Sequence, residues 1–147
     1  MSLQETRQWR PLLHYAPARN WMNDPNGPIL IDGVYHLFYQ HNPVEPVMGY
    51  ISWGHATSRD LLHWEEQPIA LPSTPQEQIY SGTVIYDRDN RSGLSTDENP
   101  PLLALYTSVF RDMPGAQEDG PQAVSVADSL ARGARSEERR VERERST

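Results

Sequence analysis

An all-β fold is what this sequence predicts, and three observations carry that expectation. Aromatic residues are plentiful, with four Trp and seven Tyr, and they sit in short apolar runs with β-branched neighbours. One such run, VYHLFYQH (34–41), alternates in period two. Thirteen prolines and nine glycines interrupt the chain at short intervals, which favours a turn-rich β protein over a helical bundle. Strands of this kind, joined locally, form meandering antiparallel sheets in a sandwich, a barrel or a propeller. Periodicity does not choose among the three.

The elements follow in order. Asn23-Asp24-Pro25-Asn26-Gly27 is a run of five turn formers, so it reads as a tight loop feeding the strand PILI (28–31). Asp32-Gly33 then favours a two-residue hairpin into VYHLFYQH. In that second strand Tyr35, Leu37 and Tyr39 face one side, and His36, Phe38 and Gln40 the other. Gln40 therefore lies at the strand end, near the NDPNG loop. ISWGHATS (51–58) reads as a third strand and SRDLLHWEE (58–66) as a turn leading into a fourth segment. IYSGTVIYD (79–87) is a fifth and PLLALYTSVF (101–110) a sixth.

Composition narrows the function classes. The chain has 147 residues, 37% hydrophobic and 22% charged, as a folded globular unit does. It contains no cysteine, so neither a disulfide framework nor a thiolate metal site can form. The five histidines show no HxxxH pair or other compact ligand spacing, so no metal is expected. No cofactor is expected either: there is no G-x-S-x-G elbow, and no glycine-rich phosphate loop follows a strand. A net charge of −7 without a single lysine argues against nucleic acid. No apolar run is long enough for a membrane span or a signal peptide, so the chain as written reads as cytoplasmic and unattached to membrane.

Asp24 is the candidate for chemistry. Backbone N–H groups and side-chain amides crowd around it in the loop and hold its orientation, as a nucleophile or base needs. Trp9, Trp21, Trp53, Tyr39, Tyr50 and Tyr80 offer flat apolar faces, while Gln40, Asn42 and Ser81 offer hydrogen bonds. This mixture suits a sugar, whose faces are apolar and whose rim is hydroxylated. The residues alone leave a plainer alternative open, in which NDPNG is a simple turn and the aromatics are core.

RPLLHYAPARNWMNDPNGPILIDGVYHLFYQHNP, then WGHATSRDLLHWEEQPIAL, then YSGTVIYD, resembles the N-terminal part of glycoside hydrolase family 32, the invertases, inulinases, levanases and other β-fructosidases. The three motifs occur in the family's order. The resemblance implies a five-bladed β-propeller, of which roughly the first two blades lie in residues 10–128. It implies retaining hydrolysis of a terminal β-fructofuranosyl bond through a covalent fructosyl intermediate, with a fructose-containing saccharide as substrate. Asp24 matches the nucleophile of WMNDPNG. Asn23, Asn26, Gln40, Trp53, Tyr80 and Ser81 match positions around the fructosyl ring, although Tyr80 and Thr83 stand where many members have Phe and Ser.

A retaining glycosidase needs two carboxyl groups about 5–5.5 Å apart. In the family the acid is a Glu in a Glu-Cys motif, preceded by an Arg-Asp-Pro motif, and a chain without cysteine has no Glu-Cys. Phe110-Arg111-Asp112-Met113-Pro114 approaches Arg-Asp-Pro, but Met113 interrupts it and it comes early, so it reads as a loop. GPQAVSVADSLARG (120–133) resembles a family strand that fades near Asp128, and 129–147 is an arginine-glutamate low-complexity tail. Residues 1–9 form an N-terminal extension. The expectation is a truncated and inactive β-fructosidase propeller that self-associates through exposed strand edges; a non-catalytic carbohydrate-binding or interaction fragment is the alternative.

Overall fold

The computed structural model describes residues 10–94, 100–111 and 120–129, and every regular element within them is a strand. β1 (Trp21–Ile31), β2 (Val34–Asn42), β3 (Ser52–Ser58) and β4 (Trp64–Leu71) form one sheet in that order. β5 (Glu77–Tyr86), β6 (Leu102–Phe110) and β7 (Gln122–Ser129) form a second. Each neighbouring pair is antiparallel. These are two adjacent blades of a β-propeller, all-β as the alternating runs foretold. The extension 1–9 with its Trp9, the stretch from Asp112 to Pro114 and the tail beyond Ser129 lie outside the described residues.

The β1–β2 hairpin turns where Asp-Gly predicts. Asp32 has φ 49° and Gly33 φ 76°, left-handed conformations that match the twist of the flanking strands. The NDPNG expectation needs correction. These residues lie inside β1, which begins at Trp21 rather than at Pro28. Register shifts fall between Met22 and Pro25 and between Asn26 and Ile29, so the turn formers are used as two bulges in a strand that keeps its pairing to β2. Gly27, with φ 54°, supplies the left-handed residue that such a kink requires.

Alternation along β2 decides which side chains meet the second blade. Phe38 and Gln40 stand opposite His55 and Trp53, and that face joins a core of Phe38, Trp53, Leu71, Ile79, Tyr106 and Ala127 drawn from both sheets. The Trp53 and Tyr106 rings meet edge-on at 6.0 Å. Burying each large aromatic here contributes roughly 1.5–3 kcal/mol. The opposite face carries Tyr39, covered by Tyr15, with ring centroids 5.2 Å apart and hydroxyls 2.8 Å apart. Tyr15 also leans on Trp64 at 5.8 Å, so residues before β1 strap the sheet. Gly54 is required beneath this arrangement, since a Cβ there would lie 2.4 Å from the Tyr39 ring.

The two sheets meet backbone to backbone. Ile79 N–H donates to Ile51 O at 2.8 Å. A Cβ on Gly27 would fall 2.2 Å from Val84 N, and one on Gly82 would fall 2.0 Å from Leu105 O. No side chain fits in either place: at Gly27 β1 comes as close to β5 as the chains allow, and at Gly82 β5 comes as close to β6.

Candidate active site

The first β1 bulge leaves Asn23 and Asp24 between the partner pairs Met22–His41 and Pro25–Tyr39, and so opposite Gln40. Both are exposed. The partner of Asp24 comes from the other sheet: Ser81 Oγ donates to Asp24 Oδ2 at 2.6 Å. Gln40 Nε2 in turn donates to Ser81 Oγ at 3.0 Å. A chain of three polar groups thus runs from buried Gln40 through Ser81 to an exposed carboxylate. Hydroxyl-to-carboxylate bonds of this length are the strong, charge-assisted kind.

The other expected site residues lie around this chain, but not all as surface contacts. Trp53 is fully buried, and its Nε1 donates to Tyr80 O at 3.0 Å. It fixes the β5 backbone one residue before Ser81 and has no free face for a sugar, which corrects the expectation of a Trp53 contact. Asn26 is likewise buried, at 1% exposure, because β1 twists its side chain inward after the bulge. Its Oδ1 accepts from Gly82 N–H at 3.2 Å, so it is not a surface contact either. Tyr80 is half-buried. Asn42, expected among the sugar's hydrogen-bonding partners, is wholly buried and ties the loop after β2: Val44 N–H and Glu45 N–H donate to its Oδ1 at 2.9 and 3.1 Å, and its Nδ2 donates to Val47 O at 2.8 Å.

Local sequence reading took Gly27 only as a turn former and passed over Gly82. Gly27 sets the approach of β1 to β5 and Gly82 that of β5 to β6, and a glycine inside the strand pattern IYSGTVIY was the available signal for the second.

Two other clusters carry titratable groups. His36 Nδ1 and His55 Nε2 share a hydrogen bond at 3.0 Å, with the His55 ring stacked on Phe38 at 4.5 Å. Burial lowers His36, and burial with His36 beside it lowers His55 to about 4. After β3, Asp60 accepts from Leu62 N–H at 2.9 Å and from His63 N–H at 2.7 Å, and meets His63 Nδ1 at 2.7 Å. The His63 ring and these N–H donors hold Asp60 well below the usual carboxylate range, and Asp60 raises His63. Among the described residues no group of three or more His, Asp or Glu is placed to hold a metal ion.

Known proteins share this layout. The model of the glycosyl hydrolases family 32 N-terminal domain matches residues 14–143. The extracellular exo-inulinase of Aspergillus niger is 45% identical over 135 residues, which cover 85% of this chain and 25% of that protein. The levanase of Bacillus subtilis is 42% identical over 125 residues, 85% of this chain and 17% of its own length. Among solved structures, exo-inulinase from Aspergillus awamori superposes with a TM-score of 0.73 at 44% identity, over 83% of this chain and 26% of that one. A β-fructofuranosidase from Schwanniomyces occidentalis, complexed with fructosyl-erythritol, superposes with a TM-score of 0.76 at 36% identity, over 88% and 25%. The chain spans about a quarter of the length of these relatives. With its two bulged, glycine-seamed blades and the family model matched over most of its length, the chain belongs to glycosyl hydrolase family 32.

Proposed function

We propose that Asp24 is the nucleophile of a retaining β-fructofuranosidase site and that this chain supplies the nucleophile side of it. One observation carries the reading: an exposed carboxylate whose Oδ2 takes a 2.6 Å bond from Ser81 of the neighbouring sheet, within a family of fructoside hydrolases. In the reaction, a carboxylate oxygen of Asp24 attacks the anomeric carbon of a terminal fructosyl unit as the bond to the leaving sugar breaks. Water then displaces Asp24 from the fructosyl ester and restores the carboxylate. Asn23, Tyr80 and Ser81 stand beside Asp24 as the groups to orient the ring. The substrate class is a fructose-containing saccharide, supported by the Schwanniomyces occidentalis enzyme, which is complexed with fructosyl-erythritol.

The acid that protonates the leaving oxygen belongs to the family's Glu-Cys motif, and the chain has no cysteine. General acid help is worth about 10²–10⁴-fold, so the 147-residue chain by itself releases no measurable fructose from sucrose. The direct test replaces the matching segment of the Aspergillus exo-inulinase with residues 14–129. This chimera releases fructose from inulin, and Asp24→Asn lowers its kcat by roughly 10³-fold or more. An Asp24→Asn chimera as fast as its parent contradicts the assignment. The chain's own partner is a second copy: β4 and β7 are the outer strands of the two sheets, and β7 carries an exposed Val124. Sedimentation independent of concentration counts against that pairing.

A further inference from the structure

Asn26 is a buried polar side chain that the proposed reaction does not use, and its place in the seam is specific. It stands two residues after Asp24 on β1, at 1% exposure, and reaches across the blade boundary to β5. Its Oδ1 accepts from Gly82 N–H at 3.2 Å, next to the residue whose hydroxyl holds Asp24. Its Nδ2 is buried with no hydrogen-bond partner. Turning the amide over would set Nδ2 against the Gly82 donor, so the observed orientation is the one the seam permits. A stranded buried donor is a cost that native chains seldom carry. An aspartate in its place would keep the acceptor without that donor, but would bury a second negative charge beside Asp24.

The close approach leaves Asn26 little freedom. Gly27 presses on Val84 of β5, so the positions of β1 and β5 at this point are set by contact, and Asn26 supplies the directional bond between them. We infer that Asn26 is a positioning residue for Asp24: it locks Gly82 to β1 and thereby holds Ser81 Oγ in donating range of the carboxylate. The inference rests on the reading of Asp24 as the attacking group. It adds that the nucleophile is aimed from the seam between two blades.

NMR of the full 147-residue chain tests it without substrate. In the unmodified chain the Gly82 amide exchanges slowly, and the two Hα–Hβ couplings of Ser81 are unequal, as for one fixed rotamer. Asn26→Ala frees the Gly82 amide and brings the Ser81 couplings together, while amides of the β2–β3 pairing stay protected. Equal Ser81 couplings or a freely exchanging Gly82 amide in the unmodified chain overturn the inference, whatever the variants do. So does an Asn26→Ala chain that folds with Ser81 still fixed. Failure of the Asp24 reading looks different: Ser81 stays locked in an Asn26-dependent way, yet the Asp24→Asn chimera keeps its activity.

Discussion

Asp24 and Asp60 occupy similar sequence and opposite structural situations. Both lie among turn formers, in WMNDPNG and SRDLLH. Asp60 takes its partners from its own turn: Ser58 Oγ at 3.2 Å, the N–H groups of Leu62 and His63, and the His63 ring. Asp24 takes a partner 57 residues away, from the other sheet. The first carboxylate is consumed in closing a turn, as an Asx motif does. The second is held by a hydroxyl that itself answers to buried Gln40. Asp60 is satisfied within its own turn, whereas Asp24 is oriented by a distant strand and keeps an exposed carboxylate.

Breaking the seam between the blades is expected to have the largest effect. Gly27→Ala forces a Cβ to within 2.2 Å of Val84 N at a residue with φ 54°. Overpacking of about 3 kcal/mol, with about 1 kcal/mol for the left-handed backbone, lowers stability by about 4 kcal/mol in urea unfolding. A loss below about 1 kcal/mol would mean that the two backbones are not in contact.

Acid is expected to weaken the first sheet through His55, which packs on His36 and Phe38 of β2. Its pKa in the folded chain is about 4, against 6.5 when unfolded. As pH falls through that window the unfolded chain binds a proton that the folded chain does not. The contribution is therefore complete above about pH 6.5 and is lost as pH approaches 4, on the order of 2–3 kcal/mol in all. His55→Gln flattens the fall in unfolding midpoint between those values; an unchanged slope assigns it to other groups.

Smaller still is Ser81→Ala, which removes the bond to Asp24 and the one accepted from Gln40 and costs about 1–2 kcal/mol. Its value lies in the chimera, where it lowers fructose release far more than it lowers stability. Asp60→Ala gives the smallest change, a slight fall in Tm with fructose release unaltered. If Asp60→Ala cut release as deeply as Asp24→Asn, the contrast between the two turns would fail.

Much of the fold was legible. Asp32-Gly33 and the alternation after it marked the hairpin, because two left-handed residues and period two are local properties. The NDPNG stretch misled as a loop because bulges use the residues that turns use; only the pairing of Pro25 with Tyr39 and Asn26 with Phe38 reveals a strand. Trp53 and Asn26 were expected as sugar contacts because they lie in the motifs that the resemblance assigns to the fructosyl ring. The inward rotation that buries them is set by the second sheet, which no local pattern describes. The bond from Ser81 to Asp24 joins two motifs that the family resemblance named separately, and packing alone brings them to 2.6 Å.

The central claim is that Asp24 attacks a fructosyl carbon. Rapid acid quenching of the chimera during turnover of sucrose, followed by peptide mass spectrometry, tests it most directly. The peptide containing Asp24 is expected to gain the mass of one fructosyl unit, and Asp24→Asn to abolish that gain. A fructosyl adduct on another carboxylate, with Asp24 unmodified, would contradict it.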